Sequence, residues 1–159
     1  MTQYQRIEFA TFLLRVTLGI MYLSHSLVLK LATYGLAGTA GFFESVGLPG
    51  WLAYVTFVAE AVGGVLLVAG VKTRWVVLAL MPALLGAIIW VHGLNGWVFT
   101  APNGGWEYPA FLIVVSIVQF LLGDGAYALL PSRISGGNSA AGAPATKPVR
   151  GPVAEPAAR

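Results

Sequence analysis

Residues Leu13–Leu31 read LLRVTLGIMYLSHSLVLKL, an apolar run that nevertheless carries Arg15, His25 and Lys30. A run of about 20 apolar residues crosses a bilayer core of about 30 Å as a helix. Ionisable groups at that depth are costly, so they face a bundle interior, a partner charge or water. On a helix turning about 100° per residue, Glu8, Arg15, Gly19, Tyr22, Ser26 and Lys30 share one stripe, with His25 at its edge. A lipid-facing anchor has no use for such a stripe. The stretch therefore predicts an all-α membrane bundle whose other helices answer these groups.

Composition agrees. The 159 residues are 57% hydrophobic and 9% charged, whereas soluble domains average about 25% charged residues. The chain has no cysteine, which excludes disulfides, thiolate metal ligation and dithiol or persulfide chemistry carried by the chain itself. Its net charge of +3 comes from residues at segment ends and in the tail. They read as topology signals, and no nucleic-acid partner is expected. The first apolar run is longer than a signal-peptide core, contains Arg15 and lacks a small-residue cleavage site. It is expected to remain as the first span.

Four apolar stretches stand out, at about 9–31, 51–71, 75–92 and 108–122. The first two cross a bilayer comfortably. The other two are short and call for thinner lipid or help from their flanks. Pro82 and Gly86 predict a kink in the third. Gly38–Val46 reads as a short interfacial helix that dips Phe42 and Phe43 into lipid. Val71–Arg74 is a tight turn, and Gly93–Glu107 a longer loop with Trp97, Phe99 and Trp106 at headgroup level. The expected organisation is a four-helix transmembrane domain over 1–130 and a disordered cytoplasmic tail over 131–159. Arg6, Lys72, Arg74, Arg133, Lys147, Arg150 and Arg159 put both termini on the cytoplasmic side.

That topology gathers Lys30, His25, His92, Asn95 and Glu107 in the outer half of the bundle, with Glu60 as their floor. Glu60 is the costliest residue in the chain. Arg15, offset by about 7 Å in depth, is its expected partner, and Gly63 and Gly64 beside it allow a close helix approach. Two compatible readings apply: an ion pair that fixes helix register, and a buried carboxylate that exchanges protons. For His25 and His92 the readings are hydrogen bonding or proton transfer to a small ligand, or imidazoles satisfied by water or backbone. A bis-histidine haem has only one pair to use. A metal site drawn from His25, His92, Glu60 or Glu107 matches no ligand spacing, so no metal is expected. Glu107 reads as a helix-start carboxylate as readily as a pocket residue. Tyr22, Trp51, Trp90, Trp97 and Trp106 read first as belt or core aromatics. No phosphate loop, nucleophile elbow or zinc motif is present.

Six motifs in order resemble the DoxX family of small four-helix bacterial membrane proteins. They are LLRVTLGIMYLSHSLVLKL, FFESVGLPG, VAEAVGGVLLVAGVKTRW, VHGLNGW, GGWEYP and LLGDGAYAL. The resemblance covers about Phe9 to Leu130. Ser26 departs from it, since many relatives carry glycine after the histidine. The family takes its name from a small subunit of an archaeal terminal quinol oxidase assembly, also linked to thiosulfate:quinone oxidoreduction. Other relatives are associated with catechol or quinone stress and with membrane complexes handling oxidative and thiol stress.

The resemblance implies a multi-pass protein of the bacterial inner membrane with a quinone-linked oxidoreductase role. It carries over to Arg15, His25, Lys30, Glu60, His92, Asn95 and Glu107. On this expectation the chain holds no covalent cofactor, binds a quinone or quinol, and works with a partner redox protein or as a homo-oligomer. Glu60, His92 and His25 are the expected catalytic groups. Lys30, Asn95, Glu107, Arg15 and Tyr22 are the expected ligand-binding ones. The alternatives are a non-enzymatic scaffold for redox or stress-response partners, and a small proton-coupled transporter.

Overall fold

Helix α1 (Gln3–Leu23) starts at a capping box, in which the Thr2 hydroxyl accepts from Gln5 N and the Gln5 side chain accepts from Thr2 N. Two orphan amides are satisfied in this way. The computed structural model describes residues 1–132, and among these the protein is all-helical, with five α-helices and no strand. After α1 the helix widens into a π-helical segment, Ser24–Thr33. The Ser26 hydroxyl donates to Tyr22 O and Leu23 O there, and the Thr33 hydroxyl to Val28 O. Such back-bonding competes with the regular i−4 ladder, and π turns are uncommon outside functional sites.

Four α-helices follow. Helix α2 (Gly35–Ser45) is the expected short helix, beginning three residues early. Helix α3 spans Trp51–Ala69, α4 spans Thr73–Gly86 and α5 spans Glu107–Leu122. Pro82 lies inside α4, which then winds into a second π-helical segment, Ala87–His92. The departure from regular helix thus comes just after Gly86, as a π turn. Among the described residues three helices are long and apolar enough to cross a membrane: Gln3–Thr33, Trp51–Ala69 and Thr73–His92. Helix α5 is apolar but, at 16 residues, about 24 Å long.

The helices pack in the cyclic order α1, α3, α4, α5 around Leu18, Tyr22, Leu67, Val77, Leu80 and Leu112. Two adjacent glycines set α3 between its neighbours. A Cβ on Gly64 would stand 2.9 Å from Gly19 O and 2.8 Å from Leu23 Cγ, and one on Gly63 2.8 Å from Leu80 Cδ1. Backbones meet this closely only where side chains are absent. The same contact fixes the antiparallel register of α1 and α3.

One end of the bundle, here called basal, holds the chain start, the α3–α4 turn and the end of α5. It is closed by a strap over residues 123–132. Asp124 accepts from Thr73 N at 3.0 Å through Oδ1 and from Ser132 N at 2.7 Å through Oδ2, and its Oδ1 also receives the Ser132 hydroxyl at 3.0 Å. It thus serves the first amide of α4 in the role of a cap. Backbone bonds join Lys72 N to Leu130 O, Leu130 N to Gly70 O and Ala126 N to Glu8 O. Pro131 and Ser132, counted in the tail from sequence, carry part of this network. The expected disorder from residue 133 onward lies outside the described residues.

Candidate functional site

The polar residues of the first span divide between the two ends of the bundle. Arg15 is fully buried at the basal end and donates to Asp124 O at 2.8 Å and Ala126 O at 3.3 Å. It sits against Gly70, whose φ of +71° and contact with the guanidinium leave no room for a side chain. Gly70 is ten residues past Glu60, which is about 15 Å of helix rise. The expected Arg15–Glu60 pair is therefore wrong. Span ends guessed from hydropathy misplaced the register that Gly19 and Gly64 impose, and carbonyls of the strap hold Arg15 instead.

Glu60 pairs with Lys30. Nζ lies 2.6 Å from Oε2, with side chains 16% and 8% exposed respectively. Lys30 comes from the π-helical segment, Glu60 from the middle of α3. The Lys30 carbonyl also accepts from the Thr39 hydroxyl, which ties the start of α2 to this site.

Two buried hydroxyls, Tyr22 and Ser116, lie side by side near the pair. Tyr22 is 1% exposed and Ser116, on α5, is 0% exposed, and neither hydroxyl has a hydrogen-bond partner other than its neighbour. The phenol lies beside the Ser116 hydroxyl, within electrostatic reach of Glu60 and Tyr108. A buried hydroxyl left unpaired costs about 1–3 kcal/mol, so such groups mark places where a water or ligand oxygen belongs. His25, half-buried, stacks on Tyr108 with ring centroids 6.3 Å apart and an interplanar angle of 17°. Lys30, Glu60, Tyr22, Ser116, His25 and Tyr108 thus form one cluster between α1, α3 and α5.

His92 and Asn95 belong elsewhere. His92 Nδ1 is 2.9 Å from Gly104 O, and Asn95 Nδ2 donates to Val91 O, Asn103 O and Gly104 O. Both hold the 93–106 loop onto the end of α4. Among the described residues neither is hydrogen-bonded to Lys30 or Glu60. The single outer chamber expected from sequence is thus two separate arrangements, because the loop folds back and supplies its own acceptors. Glu107 opens α5 in its first turn, with Trp106 as the N-cap residue. Its carboxylate makes no hydrogen bond or ion pair among the described residues and borders an apolar groove with Trp97 and Tyr108. Those residues also contain no convergent set of three His, Asp or Glu.

The DoxX family model matches residues 10–93, the stretch that holds Tyr22, His25, Lys30 and Glu60. The chain belongs to the DoxX family. A protein of Bacillus subtilis (strain 168) bearing the name "Putative oxidoreductase CatD" is 39% identical over 125 residues, covering 78% of this chain and 87% of that protein. No solved structure matches the chain. Family and apolar helices together make this DoxX chain a membrane protein.

Reading the sequence alone missed Ser116, Asp124, Thr73 and Gln119 in this DoxX chain. Past its first turn, α5 is apolar except for Ser116 and Gln119, and both are buried. Leu112, Ser116 and Gln119 follow one another at about one-turn spacing on the packed face. Treating hydroxyls and amides in a span as seriously as charges would have flagged them.

Proposed function

We propose that this DoxX protein is a four-span subunit with both termini cytoplasmic, which binds a quinone or quinol at the Lys30–Glu60 cluster. A partner protein carries the electron-transfer centre. One observation supports the reading above the others: two buried hydroxyls, Tyr22 and Ser116, lie side by side near an interhelical ion pair with no partner beyond each other. A quinone brings carbonyl oxygens that accept hydrogen bonds and a reversible two-electron, two-proton capacity. Tyr22 and Ser116 are donors of the kind that orient such an oxygen. Lys30 and Glu60 hold a proton between them that can be passed to a ligand oxygen, and His25 is the next titratable group along the same helix. Helix α5 completes the four spans by packing along α4, its short length matched by local thinning of the bilayer.

In this reading His92 and Asn95 shape the loop and take no part in ligand chemistry. Equilibrium binding of ubiquinone and menaquinone to the purified full chain tests it. Glu60→Gln and Tyr22→Phe should each weaken binding about tenfold, while His92→Ala should leave it within about twofold. Binding that is unchanged in Glu60→Gln and Tyr22→Phe removes the cluster from consideration. Topology is tested separately. The chain lacks cysteine, so single cysteines at Lys72 and Asn103 report sidedness, with impermeant maleimide expected to label only Asn103→Cys from outside the cell.

A further inference from the structure

At the other, distal end of the bundle a groove of about 580 Å³ runs down α5 from the 93–106 loop. Trp97, Phe99, Glu107 and Tyr108 line its head, and Phe111 and Val114 its lower part. From Glu107 to Val114 is about 10 Å of helix. The wall is built in advance. Trp106 N donates to Gly96 O and Glu107 N to Trp97 O, and the Trp97 and Trp106 rings meet edge-to-face at 4.5 Å. We propose that this groove binds the ammonium headgroup of a membrane lipid, with one acyl chain lying along Phe111 and Val114.

The charge pattern selects this occupant. Glu107 has no cation opposite it among the described residues, and the 93–106 loop contains no lysine or arginine. Aromatic faces beside a carboxylate recognise an ammonium through cation–π attraction and a charge-assisted hydrogen bond. The helix dipole alone would favour an anion at this point, but the Glu107 carboxylate already supplies that charge. A second copy of the chain is a poorer match. Copies inserted in the same direction bring equal depths together, and the described cation at this half of the bundle, Lys30, is committed to Glu60. The basal cations Arg6, Lys72 and Arg74 stand at the opposite end.

Native mass spectrometry of the full chain released from detergent, titrated with dioleoyl phosphatidylethanolamine or dioleoyl phosphatidylglycerol, tests the proposal. The wild type should retain the ethanolamine lipid about five- to tenfold better than the glycerol lipid. Glu107→Gln should abolish that preference, Glu107→Asp should keep most of it, and Phe111→Ala should weaken both lipids. Circular dichroism of each variant establishes that it is folded. Equal retention of the two lipids, preference for the anionic one, or a preference that survives Glu107→Gln overturns the proposal. So does a dimer that Phe111→Ala dissociates, since a second copy would then fill the groove.

Discussion

Removing one member of the Lys30–Glu60 pair should hurt far more than removing both. At 2.6 Å and an effective dielectric near 20, the attraction is on the order of 6 kcal/mol. Most of that offsets the desolvation of two charges, so the pair's net worth against apolar residues of similar size is small. A lone buried charge has no such offset and costs about 3–5 kcal/mol. Lys30 is the more exposed partner, which puts the loss from Glu60→Leu near the lower end of that range. Lys30→Met, which strands the better-buried Glu60, belongs near the upper end. The double variant should recover to within about 1 kcal/mol of wild type, giving a coupling of roughly 5–7 kcal/mol. Reversible unfolding in SDS mixed micelles, followed by circular dichroism, measures all four proteins. Additive single losses, or losses below about 0.5 kcal/mol, would show that the two charges do not depend on each other and refute the reasoning.

Asp124→Ala strips acceptors from Thr73 N, Ser132 N and the Ser132 hydroxyl. It should cost about 2–4 kcal/mol and speed proteolysis within 123–132, with Asp124→Asn recovering about half. Gly64→Leu places atoms where Gly19 O and Leu23 already stand; about 1–3 kcal/mol of destabilisation is expected, read as a lower unfolding midpoint in the same micelles. His92→Phe removes the bond to Gly104 O and should raise hydrogen exchange in the 93–106 loop about tenfold. Exchange at Lys30 and Ser116 should stay unchanged.

Much of this architecture is legible in the sequence because lipid imposes simple rules. Apolar length marks helices, and Gly63-Gly64 beside a buried Glu60 marks close packing. What the sequence withholds is register. Arg15 and Lys30 lie on one stripe, and hydropathy places span ends only to within a turn or two. The choice of partner for Glu60 thus turned on an offset smaller than that error. The contact of Gly19 with Gly64 decides it, and both glycines are visible in the sequence without any sign that they face each other. The loop posed a different difficulty. His92 and Asn95 look like ligands until the hairpin 93–106 brings the Gly104 carbonyl to them, and a backbone acceptor has no signature in a string of residue names. Asp124 draws no notice and Ser132 falls in the expected tail for the same reason, although they join α4 to the strap.

Photolabelling with an azidoquinone, followed by peptide mapping, meets the central proposal most directly. Adducts are expected on peptides carrying Tyr22–Lys30 and Tyr108–Ser116, with competition by unlabelled quinone and loss in Tyr22→Phe. Labelling confined to the 91–106 loop, or none that quinone competes away, would contradict a ligand site between α1, α3 and α5.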